Sequence, residues 1–237
     1  MAKSIQLIFS CEHGGNKIPS AYQLLFAGQE ELLNSHQGWD PGALMMAKIF
    51  SDQLSAPLYF SDISRLLIEL NRTLQHPQLF STISKSLSET EKSSLISAIY
   101  IPYVENLEKH IQQAILEGSQ VIHLSIHSFT PVLNGVKREA EIGLLFDPNK
   151  EMEAKYAQQW KSSIEGKYPG WTVKYNYPYL GIDDGLTQYF RGKYPHLYAG
   201  LELEINHTLF FHETTEKLSA ALLPPTDLNF IKNIRHA

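Results

Sequence analysis

Two imidazoles and a hydroxyl alternate with apolar side chains along the stretch HLSIHSF, residues 123–129. The apolar residues of this region favour a buried strand: Val121, Ile122, Leu124 and Ile126. Because successive side chains of a strand point to opposite faces, His123, Ser125 and His127 all share one face. Histidine acts as a general acid or base and as a metal ligand, so this face predicts a site of chemistry.

Further polar residues stand at or near the ends of other apolar segments. They are Glu12-His13 after the first predicted strand, Asn71-Arg72 after the run 64–70, and Glu204 near the end of GLELEIN. In an open α/β sheet, sites form beyond the carboxyl ends of the strands. If these side chains converge there, they supply the imidazoles, carboxylates and guanidinium of a metal-assisted hydrolase.

Several candidate residues also have an ordinary structural interpretation. Asp40, which precedes Pro41, is a good helix N-cap. Arg72 could form a surface salt bridge. Glu202 and Glu204, two residues apart on one predicted strand, could be the solvent-facing half of an edge strand. Their occurrence together, rather than any single residue, favours a functional site.

The elements that must position these residues alternate along the chain. Predicted strands cover 4–10, 57–60, 121–127, 141–147, 171–176 and 200–206. Predicted helices cover 40–54, 102–117, 150–165 and part of the tail from 212, whereas 64–72 could be strand or helix. The alternation predicts an α/β fold with a mixed, mostly parallel central sheet flanked by helices. One domain over 1–237 is expected, although two small domains would also fit the length.

Composition narrows the class of protein. The net charge of −5 argues against a nucleic-acid partner, which needs a basic surface. The single cysteine, Cys11, excludes an intrachain disulfide and fits a reducing compartment. The apolar span Ile5 to Phe9 is too short for a signal peptide or a membrane span, so we expect a cytoplasmic protein without a membrane partner. Neither a dinucleotide-binding nor a P-loop glycine motif occurs.

Several motifs resemble those of zinc-dependent hydrolases. SIHSF, LNR and ELEIN resemble zinc carboxypeptidase segments and follow the same order. More closely, the sequence resembles the N-formylglutamate amidohydrolase family, which shares the zinc-carboxypeptidase-like fold. Six segments from near residue 9 to residue 206 carry this resemblance: SCEHGGNKIP, WDPGALMMAKIF, SRLLIELNR, HSFTPVLNGVKREAEIGLLFD, NYPYLG and GLELEIN.

The resemblance implies a divalent metal, with zinc as the expected ion, bound by His13 and His127. The first carboxypeptidase motif is H-x-x-E, but Asn16 stands in the fourth position here, and a neutral amide is a poor zinc ligand. The third ligand must then come from elsewhere, and the resemblance of the segment around Asp40 to a D-x-G-A type segment of the family implies Asp40, with Glu12 as the second choice. Two histidines and one carboxylate leave a position for water, as catalytic zinc requires.

The resemblance also assigns the remaining roles. Glu204 is expected to be the general base, and Arg72 with Asn71 to bind the substrate carboxylate. Arg65 and Arg138 are further candidates for the second carboxylate of a dicarboxylic substrate. His123 and Ser125 are expected to support His127.

The implied activity is metal-dependent hydrolysis of a small-molecule N-acyl amino acid, N-formyl-L-glutamate giving formate and L-glutamate. The sequence departs from the family at Glu69, where aspartate is expected, and at Asn206, where arginine often follows the general base. Two alternatives remain: a carboxypeptidase-like peptidase or deacylase with another acyl group, and a metal-free binding protein, which Asn16 favours. The oligomeric state stays open.

Overall fold

Strands and helices alternate along the chain, as the sequence predicts. The computed structural model describes residues 4–227. Its strands are β1 (Ile5–Cys11), β2 (Leu58–Phe60), β3 (Gln120–Phe129), β4 (Val132–Leu133), β5 (Val136–Lys137), β6 (Ile142–Leu145), β7 (Val173–Tyr175) and β8 (Tyr198–Asn206). Its α-helices are α1 (Glu30–Asn34), α2 (Ala43–Leu54), α3 (Glu89–Leu95), α4 (Ile101–Leu116), α5 (Glu151–Lys167), α6 (Leu186–Lys193), α7 (His207–His212) and α8 (Thr215–Leu222).

Six strands form one sheet in the order β2-β1-β3-β8-β6-β7. The first four of these run parallel to one another, β6 is antiparallel to β8, and β7 is parallel to β6. The strands β4 and β5 form a separate antiparallel hairpin. This topology confirms the predicted α/β fold with a mixed, mostly parallel sheet flanked by helices.

The sheet separates two apolar cores. Helices α2, α5 and α8 pack on one face, where Ile122, Leu124 and Ile126 of β3 are buried. Helices α4 and α6 cover the other face, and the ring of His123 lies edge-on to Phe190 of α6. His123, Ser125 and His127 of β3 therefore point to the α4 and α6 side, where polar groups replace the apolar core toward the carboxyl end of the strand.

Most predicted elements are confirmed, but three interpretations are wrong. The helix predicted from Asp40 begins at Ala43 after a left-handed Gly42, so Asp40 is not its N-cap. The run 64–72 is neither strand nor helix but a series of turns, held because Leu67 and Leu70 are buried in the core on the α4 side. Strand β8 is central rather than an edge strand, since β3 and β6 flank it.

Candidate active site

Three side chains converge near the carboxyl ends of β1 and β3. These strands are parallel neighbours, so His13, just after β1, comes close to His127 of β3, with ring centroids 5.0 Å apart. Asp40 joins them because its backbone N–H donates to the carbonyl of His13. Its Oδ2 lies 2.9 Å from His127 Nδ1 and 3.4 Å from His13 Nδ1. One ligand atom from each residue lies within 4.8 Å of the others, a spacing that could hold a metal ion.

The other nitrogen of each ring is also held. His13 Nε2 lies 2.5 Å from Glu69 Oε1, and Arg65 in turn donates to Glu69 Oε2. His127 Nε2 lies 2.8 Å from the hydroxyl of Ser125. Carboxylates and hydroxyls that fix the remote nitrogen of a histidine are typical of metal sites, because they orient the ring toward the ion.

Glu12 lies behind His127 rather than in the group of three. Its carboxylate accepts hydrogen bonds from Ser125 Oγ at 2.6 Å and from Tyr103 Oη at 3.0 Å. Burial raises the pKa of Glu12, but His127 outweighs that effect and lowers it to about 2. Ser125 therefore supports His127, as expected, whereas His123 bonds Ser10 and Tyr198 instead.

Charges in the site stabilise one another. Burial raises the pKa of Asp40, yet the imidazoles of His13 and His127 outweigh it and hold that pKa well below its usual range. Burial disfavours a charge on His127, but its hydrogen bonds to Asp40 and Glu12 raise the pKa of His127 well above the ordinary value.

Glu204 differs from the other buried carboxylates of residues 4–227 because one of its oxygens is buried without a hydrogen-bond partner. It lies directly opposite His127 in the pairing of β8 with β3, and Glu202 lies opposite Ser125. Glu202 accepts from Thr187 Oγ1 at 2.7 Å, whereas Oε2 of Glu204 is buried with no hydrogen bond in the described structure. Burial therefore raises the pKa of Glu204 to about 8.

A cavity of about 170 Å³ opens over these residues. It is lined by the eight residues expected as metal ligands, general base and carboxylate contacts: His13, Asp40, Arg65, Asn71, Arg72, His127, Arg138 and Glu204. Asn16 instead bonds Asn34, and Asn206 caps α7 and donates to the carbonyl of Ala140.

The three arginines enter the cavity with different partners. Arg65 pairs with Glu69 through Nε at 2.9 Å and Nη2 at 2.7 Å, and it lies 3.5 Å from Asp40. Arg72 donates through Nη1 to two backbone carbonyls. Arg138 lies over the rings of Phe129 and Tyr179.

Sequence reasoning missed several residues of the site. Glu69 was noted only as a departure from the family, although its place four residues after Arg65 is a pairing distance. The cavity lining also includes Tyr179 and Asp184, which come from the segment after β7. No local pattern marks either residue, because only the fold brings that segment to the site.

A buried acid–base cluster in a cavity at the carboxyl ends of parallel strands is typical of a hydrolase. The family model of N-formylglutamate amidohydrolase matches residues 5–211, so the chain belongs to the N-formylglutamate amidohydrolase family.

Two solved structures are similar to this chain. Gene product Atu2144 from Agrobacterium tumefaciens is 28% identical, with a TM-score of 0.78 over 96% of this chain and 87% of that chain. The N-formylglutamate amidohydrolase from Ralstonia eutropha JMP134 is 16% identical, with a TM-score of 0.62 over 97% and 89%, and shows the fold alone. No curated protein sequence is significantly similar to this chain. Among the helices of residues 4–227, none has the length and apolar character that crossing a bilayer demands.

Proposed function

We propose that this protein is a metal-dependent amidohydrolase that cleaves the linear amide bond of an N-acyl amino acid, with N-formyl-L-glutamate as the expected substrate. One observation carries the proposal: the ligand atoms of His13, Asp40 and His127 lie within 4.8 Å of one another, beside the unpartnered carboxylate of Glu204. Membership of the family supports the reaction class.

The donor set suits a divalent metal, and zinc in particular. Two imidazole nitrogens and one carboxylate oxygen are the ligands of many catalytic zinc sites, which keep a further position open. Glu69 and Ser125 hold the remote ring nitrogens, so both Nδ1 atoms are turned toward Asp40. When bound, such a metal supplies a Lewis acid for the acyl carbonyl and for water.

Glu204 is the proposed general base. Its carboxylate can take a proton from the attacking water and return it to the nitrogen of the leaving amine. A pKa of about 8 suits this exchange near neutral pH, because a base works best when its pKa is close to the working pH. Glu202 is less suited, since Thr187 already donates to it.

Arg72 and Arg138 are the proposed contacts for the substrate carboxylates. A guanidinium binds a carboxylate through two parallel hydrogen bonds, which fixes orientation as well as charge. Arg65 is also a candidate, but the carboxylate of Glu69 already neutralises its charge, whereas Arg138 donates to the uncharged oxygens of Thr130 and Tyr179. We therefore propose that Arg65 chiefly holds Glu69 and, through it, His13.

Release of formate from N-formyl-L-glutamate tests the function directly. We expect activity in the purified protein, loss of activity with a chelator and recovery on adding zinc, with elemental analysis giving the bound metal. Activity that survives complete metal removal would contradict the mechanism.

The acyl group needs its own comparison. Tyr179 and Leu180 also line the cavity, and both are about half exposed, so its rim offers apolar surface beyond the polar floor. N-acetyl- and N-benzoyl-L-glutamate should therefore be assayed beside the formyl compound. A higher kcat/KM for a larger acyl group would favour the deacylase alternative. If the protein does not bind metal and does not hydrolyse any of these compounds, the alternative of a metal-free binding protein is favoured.

A further inference from the structure

The Asn71-Arg72 pair is fixed by the loop that leads into α6. The side-chain oxygen of Asn71 accepts from the backbone N–H of Leu186 at 2.9 Å. Arg72 Nη1 donates to the carbonyl of Asp184 at 2.6 Å. The carboxylate of Asp184 accepts from the backbone N–H and the hydroxyl of Thr73, at 2.9 and 2.8 Å. We name these contacts of Asp184 with Arg72 and Thr73 the Asp184 clamp.

The clamp leaves one edge of the Arg72 guanidinium available. Nη1 also donates to the carbonyl of Asn71 at 2.8 Å, so it is fully occupied by two carbonyls. The carbonyl of Arg72 accepts from the hydroxyl of Tyr100 at 2.7 Å, which holds the backbone. Nε and Nη2 make no hydrogen bond within residues 4–227. These two nitrogens form the edge that grips a carboxylate bidentately.

The negative charge of Asp184 by itself should weaken the binding of a carboxylated substrate. Asp184 lines the same cavity as Arg72, where its negative charge repels an anionic substrate. Both of its oxygens, however, accept hydrogen bonds from Thr73. The neighbouring Asp183 also lines the cavity, but its carboxylate accepts from Leu180 N and does not contact the clamp.

We propose that Asp184 is a positioning residue that sets the orientation of Arg72 and thereby the affinity for a carboxylated substrate. The inference rests on the proposed role of Arg72 as the contact for the substrate carboxylate. A positioning role and a purely electrostatic role of Asp184 predict opposite changes in KM when its carboxylate is removed. Loss of the clamp should weaken binding, whereas loss of a cavity anion by itself should strengthen it.

The test compares four variants in formate release from N-formyl-L-glutamate. Asp184→Ala removes both side-chain hydrogen bonds of the clamp, those to Thr73, and leaves the carbonyl that faces Arg72 without this anchor. We expect KM to rise at least about tenfold while kcat changes less than about threefold. Asp184→Asn retains groups that can pair with Thr73, so KM should return close to the wild-type value. Asp183→Ala removes a cavity anion and leaves the clamp, so KM should stay unchanged or fall. Thr73→Val removes one hydrogen bond and should give a smaller rise.

An unchanged or lower KM in Asp184→Ala overturns the proposal, as does a fall in kcat alone. Zinc content and melting temperature are measured for each variant, and equal values support positioning over a general structural defect. If Asp184→Ala does not fold, Thr73→Val decides, and an unchanged KM there overturns the clamp.

A readout without substrate separates this inference from the proposed function. Phenylglyoxal labelling of Arg72, followed by mass spectrometry, should be faster in Asp184→Ala than in wild type, Asp184→Asn or Asp183→Ala. If wild type releases no formate, the proposed function fails and the labelling alone decides the clamp. Equal labelling rates overturn it.

Discussion

Two buried clusters of ionisable groups contact strand β8 and are built in opposite ways. Near its start, the carboxylate of Glu153 accepts from Arg191 Nε and Nη2, at 2.8 and 3.0 Å, and from the backbone N–H groups of Asp147 and Gly200, at 2.8 and 3.0 Å. Near its end, four residues further on, Glu204 keeps one oxygen without any hydrogen bond in the described structure.

The difference separates a structural ion pair from the proposed general base. Arg191 also donates to the carbonyls of Gly181 and Gly200, so the cluster at Glu153 joins α5, α6, β8 and the loop before α6. An unsatisfied buried polar group costs about 1–3 kcal/mol, and Glu204 bears that cost beside an open cavity. Full satisfaction stabilises the fold, whereas the missing partner leaves Glu204 able to exchange a proton with a ligand.

The largest expected effect is on catalysis, in Glu204→Gln. The substitution keeps the shape but removes the proton acceptor, so kcat should fall by about 10²–10⁴-fold with metal content and fold retained. Glu202→Gln is the matched control on the same strand face and should keep most activity. The reverse ranking would move the general base to Glu202, and equal, mild losses would exclude both.

The same variant should not lose stability. In metal-free protein the pKa of Glu204 is raised from 4.5 to about 8. Between about pH 4.5 and 8 the folded state therefore binds more protons than the unfolded state. The contribution of Glu204 to the free energy of unfolding is fully present below about pH 4.5 and is lost as the pH rises to about 8. Wild type should become less stable relative to Glu204→Gln over this range, which urea denaturation at several pH values measures. A parallel pH profile would contradict the raised pKa.

Breaking the ion pair between Glu153 and Arg191 should give the opposite result, because it should lower the stability of the protein without changing its catalytic activity. Glu153→Gln leaves Arg191 buried without its charge partner, and removal of one partner of a buried pair costs about 3–5 kcal/mol. Activity per folded molecule should stay near wild type. Glu151→Gln on the same helix is the control. It breaks an exposed pair with Lys155, so its effect should be below about 1 kcal/mol. Equal effects of the two variants in urea denaturation would refute the contrast.

A bound metal should stabilise the folded protein, because it would give His13, Asp40 and His127 beside Glu204 a common partner. A ligand that binds only the folded state at one hundred times its Kd adds about 2.7 kcal/mol to stability. Saturating zinc should therefore raise the melting temperature of metal-free wild type, whereas His127→Ala should respond little. An equal rise in both proteins would place the metal elsewhere.

The smallest expected effect concerns Arg72. Arg72→Lys keeps the charge but loses the planar pair of donors, so KM should rise by about tenfold, with a smaller fall in kcat. The KM of Arg138→Lys provides the same test for the arginine that is proposed to bind the second carboxylate of the substrate. Kinetics unchanged from wild type in Arg72→Ala would remove this residue from substrate binding.

Local patterns in the sequence were sufficient for the six strands of the central sheet, for the longer helices and for the residue types of the site. Alternation along β3 placed His127 and Ser125 on one face, and the strand ends pointed to His13 and Glu204. These predictions depend on the period of a strand and on the rule that sites form at carboxyl ends, both of which act over a few residues.

Only the tertiary structure decided which side chains meet. The contact between His13 and Glu69 spans 56 residues, and that between Thr73 and Asp184 spans 111. Asp40 is read locally as a helix cap, yet its carboxylate faces two imidazoles because Gly42 turns the chain before α2 begins. The turns at 64–72 likewise follow from burial of their apolar side chains, which outweighs local propensity. The sequence determined the groups available for chemistry, and packing between distant segments determined their partners, because no local period encodes such contacts.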